Sequence, residues 1–235
     1  MIDKRPFSGL GHADHGWLNA RHHFSFANYY DPQKMGWGSI RVWNDDEIAS
    51  QSGFPPHPHD NMEIITYVRE GAITHQDSLG NSGRTEAGDV QVMSAGTGIR
   101  HAEFNVEPVK TTLFQIWVMP SERGHKPSWG AKPFPKSDRA GKFVALASGF
   151  DDDGEALKIH TPARLLGATL LKDQAETYVP VETGGERHLY LVVAKGKVLV
   201  NGVELDARDG AAIKDEPKLE ITALEDAEVV LLDAA

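Results

Sequence analysis

The stretch GFPPHPHDNMEIITYVREG, residues 53–71, decides how the rest of the chain is read. Two histidines one residue apart, His57 and His59, precede a carboxylate, Glu63, and an alternating apolar run that stops at Gly71. On one continuous strand, positions i, i+2 and i+6 share a side. The spacing therefore predicts that these three side chains point together into whatever that face covers. Imidazole and carboxylate converging in this way is the donor chemistry of a metal site.

Outward from this stretch, short β-rich runs dominate: GSIRVWN, EIITYVREGAITHQDS, DVQVMSAG, TLFQIWVMP, FVALAS, HLYLVVAKGKVLVNG, LEITAL and AEVVLLD. Gly, Pro, Asn and Asp clusters separate them, and amphipathic helical windows are few, so an all-β chain is expected. From Met119 to Lys142, Pro, Gly and charge accumulate without periodicity, which reads as a break between domains. The expected division is an N-terminal barrel over 1–125, a linker over 126–141 and a C-terminal barrel over 142–235.

The two halves repeat each other. Glu63–Val68 leads to Gly71 and then to a Gly88–Asp89 turn into another strand; His188–Val193 leads to Gly196 and then to Asp209–Gly210. A strand, a turn glycine, a short hairpin and a second turn make one small β-barrel each, so two stacked barrels are expected. Setting Gly71 on Gly196 without gaps puts Glu182 and Gly184 where the first copy has His57 and His59. The second barrel has lost the pair. The stretch GTGIRHAEFN adds His101 and Glu103, again two residues apart, so two strands of the first barrel each offer an i, i+2 pair to its interior. Period-2 parity lets both Glu63 and Glu103 face inward and does not choose between them.

Composition bounds the function. With 40% hydrophobic residues in 235, the chain can bury a substantial core. Its net charge of −10 argues against a surface that neutralises phosphates, so direct nucleic-acid binding is not expected. No run approaches the roughly 18 apolar residues that span a bilayer, and no apolar leader opens the chain; a soluble cytoplasmic protein is expected. There is no cysteine, which excludes disulfides, thiolate metal sites and thiol nucleophiles. Any metal must be held by nitrogen and oxygen.

The first motif, GFPPHPHDNMEIITYVREG, resembles that of the cupin superfamily. Taken with HADHGWLNARHHFSFANYYDP, RVWNDDEI, HQDSLGNSG and MSAGTGIRHAEFN, the first half resembles the pirin family in its bacterial quercetin 2,3-dioxygenase branch. The resemblance implies a bicupin whose single divalent metal is held by His57, His59, His101 and Glu103. Iron(II) is favoured, with manganese, cobalt, nickel, copper and zinc as the other candidates. It also separates the two glutamates: the general cupin pattern takes its carboxylate from the first motif, here Glu63, and the pirin pattern takes it from the second, Glu103. Glu63 is then expected to orient a histidine. The implied activity is cleavage of the flavonol heterocycle by dioxygen with release of carbon monoxide, with Glu103 taking the proton of the substrate 3-hydroxyl. The alternative the family offers is a non-catalytic metal-binding regulator that acts through a protein partner, which an acidic surface suits better than DNA.

The remaining histidines are read more plainly. His12, His15, His22 and His23 fit neither a strand face nor a helix face and are expected to be loop or packing residues. His75 falls on the outgoing arm of the hairpin, out of step with the proposed ligands if that arm is regular and otherwise able to line the pocket. His125, His160 and His188 are expected to be structural or solvated. FSFANYYDP offers aromatic rings for the wall of a flavonoid pocket, while Trp43 and Phe114 are expected in the core.

Overall fold

β-branched and aromatic residues in short runs make strands of nearly every ordered element, and the only helical pieces are two 3-10 turns, Phe7–Gly9 and Lys136–Arg139. The computed structural model describes residues 1–235. Its strands form two barrels of the bicupin type, each made of a seven-stranded and a four-stranded sheet.

In the first barrel the larger sheet runs in the spatial order Ser128–Lys132, Val90–Ser94, Glu63–Glu70, Thr111–Val118, Ile40–Ile48, Leu18–His22 and Gly11–Asp14. The smaller runs Ser52–His59, Ile99–Asn105, Ala72–Asp77 and Ser82–Glu86. In the second barrel the larger sheet runs Ile2–Arg5, Gly210–Ile213, His188–Lys195, Ala227–Ala234, Arg164–Leu170, Val144–Ser148 and Leu157–Lys158. Its smaller sheet runs Ala175–Tyr178, Leu219–Ala223, Val198–Val200 and Val203–Leu205. The repeat read from the sequence is present in the backbone. Gly71 and Gly196 both turn at positive φ, 76° and 78°, and a Cβ on Gly196 would lie 2.3 Å from the Asp226 carbonyl oxygen.

The two larger sheets pack face to face. The largest apolar cluster, 22 residues, lies between the barrels and includes Trp43, Ile65, Tyr67 and Phe114 from one side and Tyr190, Val192 and Val230 from the other. Trp43 and Phe114 are core residues, as expected, but of the junction. A second cluster of 18 residues fills the interior of the second barrel. The first barrel's interior holds only apolar clusters of six and four residues, so polar side chains have room there and not in its twin.

Three details depart from the sequence reading. Residues 53–71 are not one strand: Asn61 takes φ 46°, and the chain passes from the smaller sheet to the larger between His59 and Glu63. The phase of His57 and His59 is lost at that turn. The segment 126–141 is not only a linker, because Ser128–Lys132 pairs with Val90–Ser94 as an edge strand of the first barrel. Its isolated Gly and its lack of alternation hid it. The segment 1–125 is likewise not all first barrel. Ile2–Arg5 pairs with Gly210–Ile213 and closes the edge of the second barrel's larger sheet. No helix of the structure is long and apolar enough to cross a membrane.

Candidate metal centre

His57 and His101 are direct cross-strand partners, and Ile99 stands opposite His59. The strand Ser52–His59 carries three prolines because it is the edge of its sheet, where a missing N–H costs no ladder bond. The register slips between His101 and Glu103, which stands opposite Phe54. This irregularity beside Pro55 and Pro56 offsets Glu103 from the histidine pair.

The result divides the expected ligand set. His57, His59 and His101 present ring nitrogens within 4.8 Å of one another, while Glu103 closes at that range with His75 and His101. The Nε2 atoms of His57 and His101 are 3.1 Å apart. Metal–nitrogen bonds of about 2.0–2.1 Å put neighbouring ligand nitrogens roughly 3 Å apart, so the separation suits a shared cation. His57 Nδ1 lies 2.8 Å from the Pro55 carbonyl oxygen, to which it donates, leaving Nε2 bare toward His101. Burial, reinforced by the neighbouring imidazoles, pushes His59 down to about 4 and His101 down to about 3, so both rings are neutral donors. Nitrogen-rich donors without thiolate suit a divalent transition metal.

Glu103 is 2% exposed and sits in a cradle of donors. Gln91 Nε2 donates to Oε1 at 2.6 Å, Gln115 Nε2 to Oε2 at 2.9 Å and Thr66 Oγ1 to Oε1 at 3.3 Å. Both glutamines are fixed in turn: Thr85 Oγ1 donates to Gln91 Oε1, and Trp117 Nε1 to Gln115 Oε1. Burial pushes the Glu103 carboxyl up to about 7 against the pull of those three donors. Sequence reasoning passed over Thr66, Gln91 and Gln115. The available signal was a lone polar residue inside each of the apolar runs EIITYV, DVQV and TLFQIWV, all aimed at the barrel interior.

Glu63 lies elsewhere. It shares the phase of Ile65 and Tyr67, which face the second barrel, and it accepts from Ser94 Oγ at 2.6 Å with His160 Nδ1 at 3.5 Å. His160 in turn stacks on His125, ring centroids 4.2 Å apart, so these two residues belong to the junction. Glu63 orients no histidine of the three-imidazole cluster. His75 is fully buried behind His101 rather than at a pocket wall. His12 and His15 are exposed, whereas His22 and His23 pack inside, on Asn44 and Tyr190. In the second barrel the strand matching Ile99–Asn105 is Leu219–Ala223, which turns Leu219, Ile221 and Ala223 into the apolar core. No donor set remains there.

An aromatic pocket lies on the far side of Trp117 from His59. The Trp117 indole meets His59 edge-on at 5.0 Å and Phe26 at 5.5 Å. Beyond it Phe26, Tyr29, Tyr30, Met35 and Met62 line a cavity of about 360 Å³. Phe26, Tyr29 and Tyr30 of FSFANYYDP therefore line this cavity, while Phe24 lies in the apolar core.

Residues 4–118 match the family model described as Pirin, and residues 145–234 match the quercetinase C-terminal cupin domain. The chain is 68% identical over 235 residues to a pirin-like protein of Caulobacter vibrioides, covering 100% of both. It is 45% identical over 234 residues to a quercetin 2,3-dioxygenase of Escherichia coli K12, covering 99% of this chain and 98% of the other. Among solved structures, the bacterial pirin YhhW of Escherichia coli in complex with nickel(II) superposes with a TM-score of 0.91 at 44% identity, covering 100% of this chain and 99% of that one.

Proposed function

This chain belongs to the pirin family, and from that membership we propose that it is a metal-dependent dioxygenase that opens the heterocycle of flavonols such as quercetin. The observation that carries the reading is the cluster of three imidazoles within 4.8 Å, two of them facing each other across 3.1 Å, with a pocket of aromatic rings beyond Trp117. His57, His59 and His101 would hold one divalent transition metal, with Glu103, which reaches the cluster only through His101, as the carboxylate that would complete the set, and iron(II) is the favoured ion. When bound, that ion supplies Lewis acidity toward the flavonol 3-hydroxyl and the unpaired electrons that let a closed-shell substrate react with dioxygen.

The protein's own part follows from its side chains. Trp117 and Phe26 offer ring faces and edges to a planar polyphenol, and holding it there converts a bimolecular encounter into an oriented one. Glu103, buried beside the imidazole cluster, would take the proton released by the substrate hydroxyl. Gln91, Gln115 and Thr66 keep its two oxygens aimed. Metal analysis of the purified protein, followed by aerobic and anaerobic quercetin turnover read by absorbance and carbon monoxide release, tests the reading. Saturable, oxygen-dependent turnover is expected, with a flavone lacking the 3-hydroxyl inert. A protein that holds metal yet leaves quercetin untouched would instead be the regulatory metal-binding module acting through a protein partner.

A further inference from the structure

Behind the three imidazoles a second row of polar side chains runs away from the cluster. His101 Nδ1 lies 3.5 Å from His75 Nδ1, the outer limit of a hydrogen bond, and His75 Nε2 lies 2.9 Å from Asp77 Oδ2. His75 is fully buried, and Asp77 is anchored by the Leu79 and Asn81 backbone N–H groups on its other oxygen. The Trp129 indole lies flat on His75, centroids 4.7 Å apart and planes 8° from parallel. That indole reaches its place only because residue 83, opposite His75 on the neighbouring strand, is glycine: a Cβ there would lie 2.3 Å from Trp129 Cη2.

Proton counting turns this row into an instruction. A carboxylate only accepts, so His75 must place its single N–H on Nε2 to meet Asp77, which leaves its Nδ1 bare. A bare Nδ1 accepts, so His101 must place its own N–H on Nδ1. Its Nε2 is then bare, and Nε2 is the atom that faces His57. A bond between the two Nδ1 atoms needs one of them bare, so the two rings cannot both carry a second proton.

We propose that Asp77 and His75 are positioning residues that fix, through two successive imidazoles, which nitrogen His101 presents to a metal. The inference rests on the reading of His101 as a ligand, but it does not depend on what the loaded site then does. Outer hydrogen bonds of this kind typically govern metal affinity by 10- to 100-fold.

Asp77→Asn tests it with the replacement of one carboxylate oxygen by an amide nitrogen. An amide N–H aimed at His75 Nε2 reverses every bond in the row and leaves His101 with its proton on Nε2. Two readouts are taken, imidazole 15N NMR of the metal-free protein and zinc(II) affinity by chelator competition. The wild type should show His101 protonated at Nδ1. Asp77→Asn should show it protonated at Nε2 and should bind zinc(II) about 10- to 100-fold more weakly, with a thermal melt close to wild type. His75→Phe, which keeps the ring stack but has no nitrogen, should lose affinity to a similar degree; if it does not fold, Asp77→Asn carries the test alone. An unchanged His101 tautomer, or zinc(II) affinity within threefold of wild type in Asp77→Asn, overturns the proposal. Neither readout uses a flavonol, so a failure of the dioxygenase reading is separately visible.

Discussion

Gly83→Ala is a single methyl group aimed at the joint between the edge strand Ser128–Lys132 and the buried His75. The Cβ would stand 2.3 Å from Trp129 Cη2 and 3.1 and 3.2 Å from its Cζ3 and Cζ2. Ordinary carbon contacts lie at about 3.5–4.0 Å, so the indole must retreat by more than ~1 Å or the strand must bend. Overpacking of this size costs about 1–3 kcal/mol, and at ~2 kcal/mol a chain of this length melts about 4–8 °C lower. Nothing in the backbone adds to the cost, because residue 83 does not use the positive-φ region that favours glycine. The assay is a double-mutant cycle on metal-free protein, with Gly83→Ala measured in wild type and in Trp129→Phe, whose smaller ring lacks the atoms that collide. The expected coupling is about 1–2 kcal/mol, with Gly83→Ala nearly neutral in the Trp129→Phe background. Equal cost in both backgrounds, or no cost in either, would refute the placement of Trp129 over His75. The same variant should weaken zinc(II) binding, since His75 loses the surface that holds its ring.

Replacing both His57 and His59 with alanine should abolish bound metal while circular dichroism and the melt stay near wild type, because both rings are part-exposed on an edge strand outside the apolar clusters; undiminished metal in the folded protein would move the site. Glu63→Gln should leave metal content and turnover unchanged and cost roughly 1 kcal/mol through its lost partners at the junction, whereas Glu103→Gln should lower both. Metal titration and quercetin kinetics on the two variants decide the ranking, and the reverse order would restore the first-motif carboxylate as the ligand. Leu191→Ala, fully buried in the second barrel, should destabilise by about 2–5 kcal/mol in urea titration yet leave metal stoichiometry intact at 25 °C; loss of metal from the folded variant would show that the second barrel contributes to the site.

The alternation of apolar and polar residues, the turn glycines and the absence of helical periodicity determined by themselves that this chain is all-β and built from two similar barrels. The spacing His57/His59 and the later His101 singled out the imidazoles that tertiary structure brings together, because an i, i+2 pair shares a strand face wherever that strand goes. What period 2 cannot say is which face looks inward. Glu63–Glu70 and Thr111–Val118 are covered on one side by the barrel interior and on the other by the second barrel, so both phases read as buried. Only the docking of the two larger sheets decided that Ile65, Tyr67 and Glu63 face the junction while Thr66, Gln91 and Gln115 face Glu103. The turn at Asn61 ended the shared phase of His57 and Glu63, and the slip beside Pro55 set Glu103 apart from His57. Strand pairing across long sequence distance did the rest. It put Ile2–Arg5 on the second barrel, laid Ser128–Lys132 along the first, and stood Trp129 on a histidine whose proton is set by Asp77. Such pairings depend on hydrogen bonds between backbones far apart in the chain, and no local pattern of side chains records them.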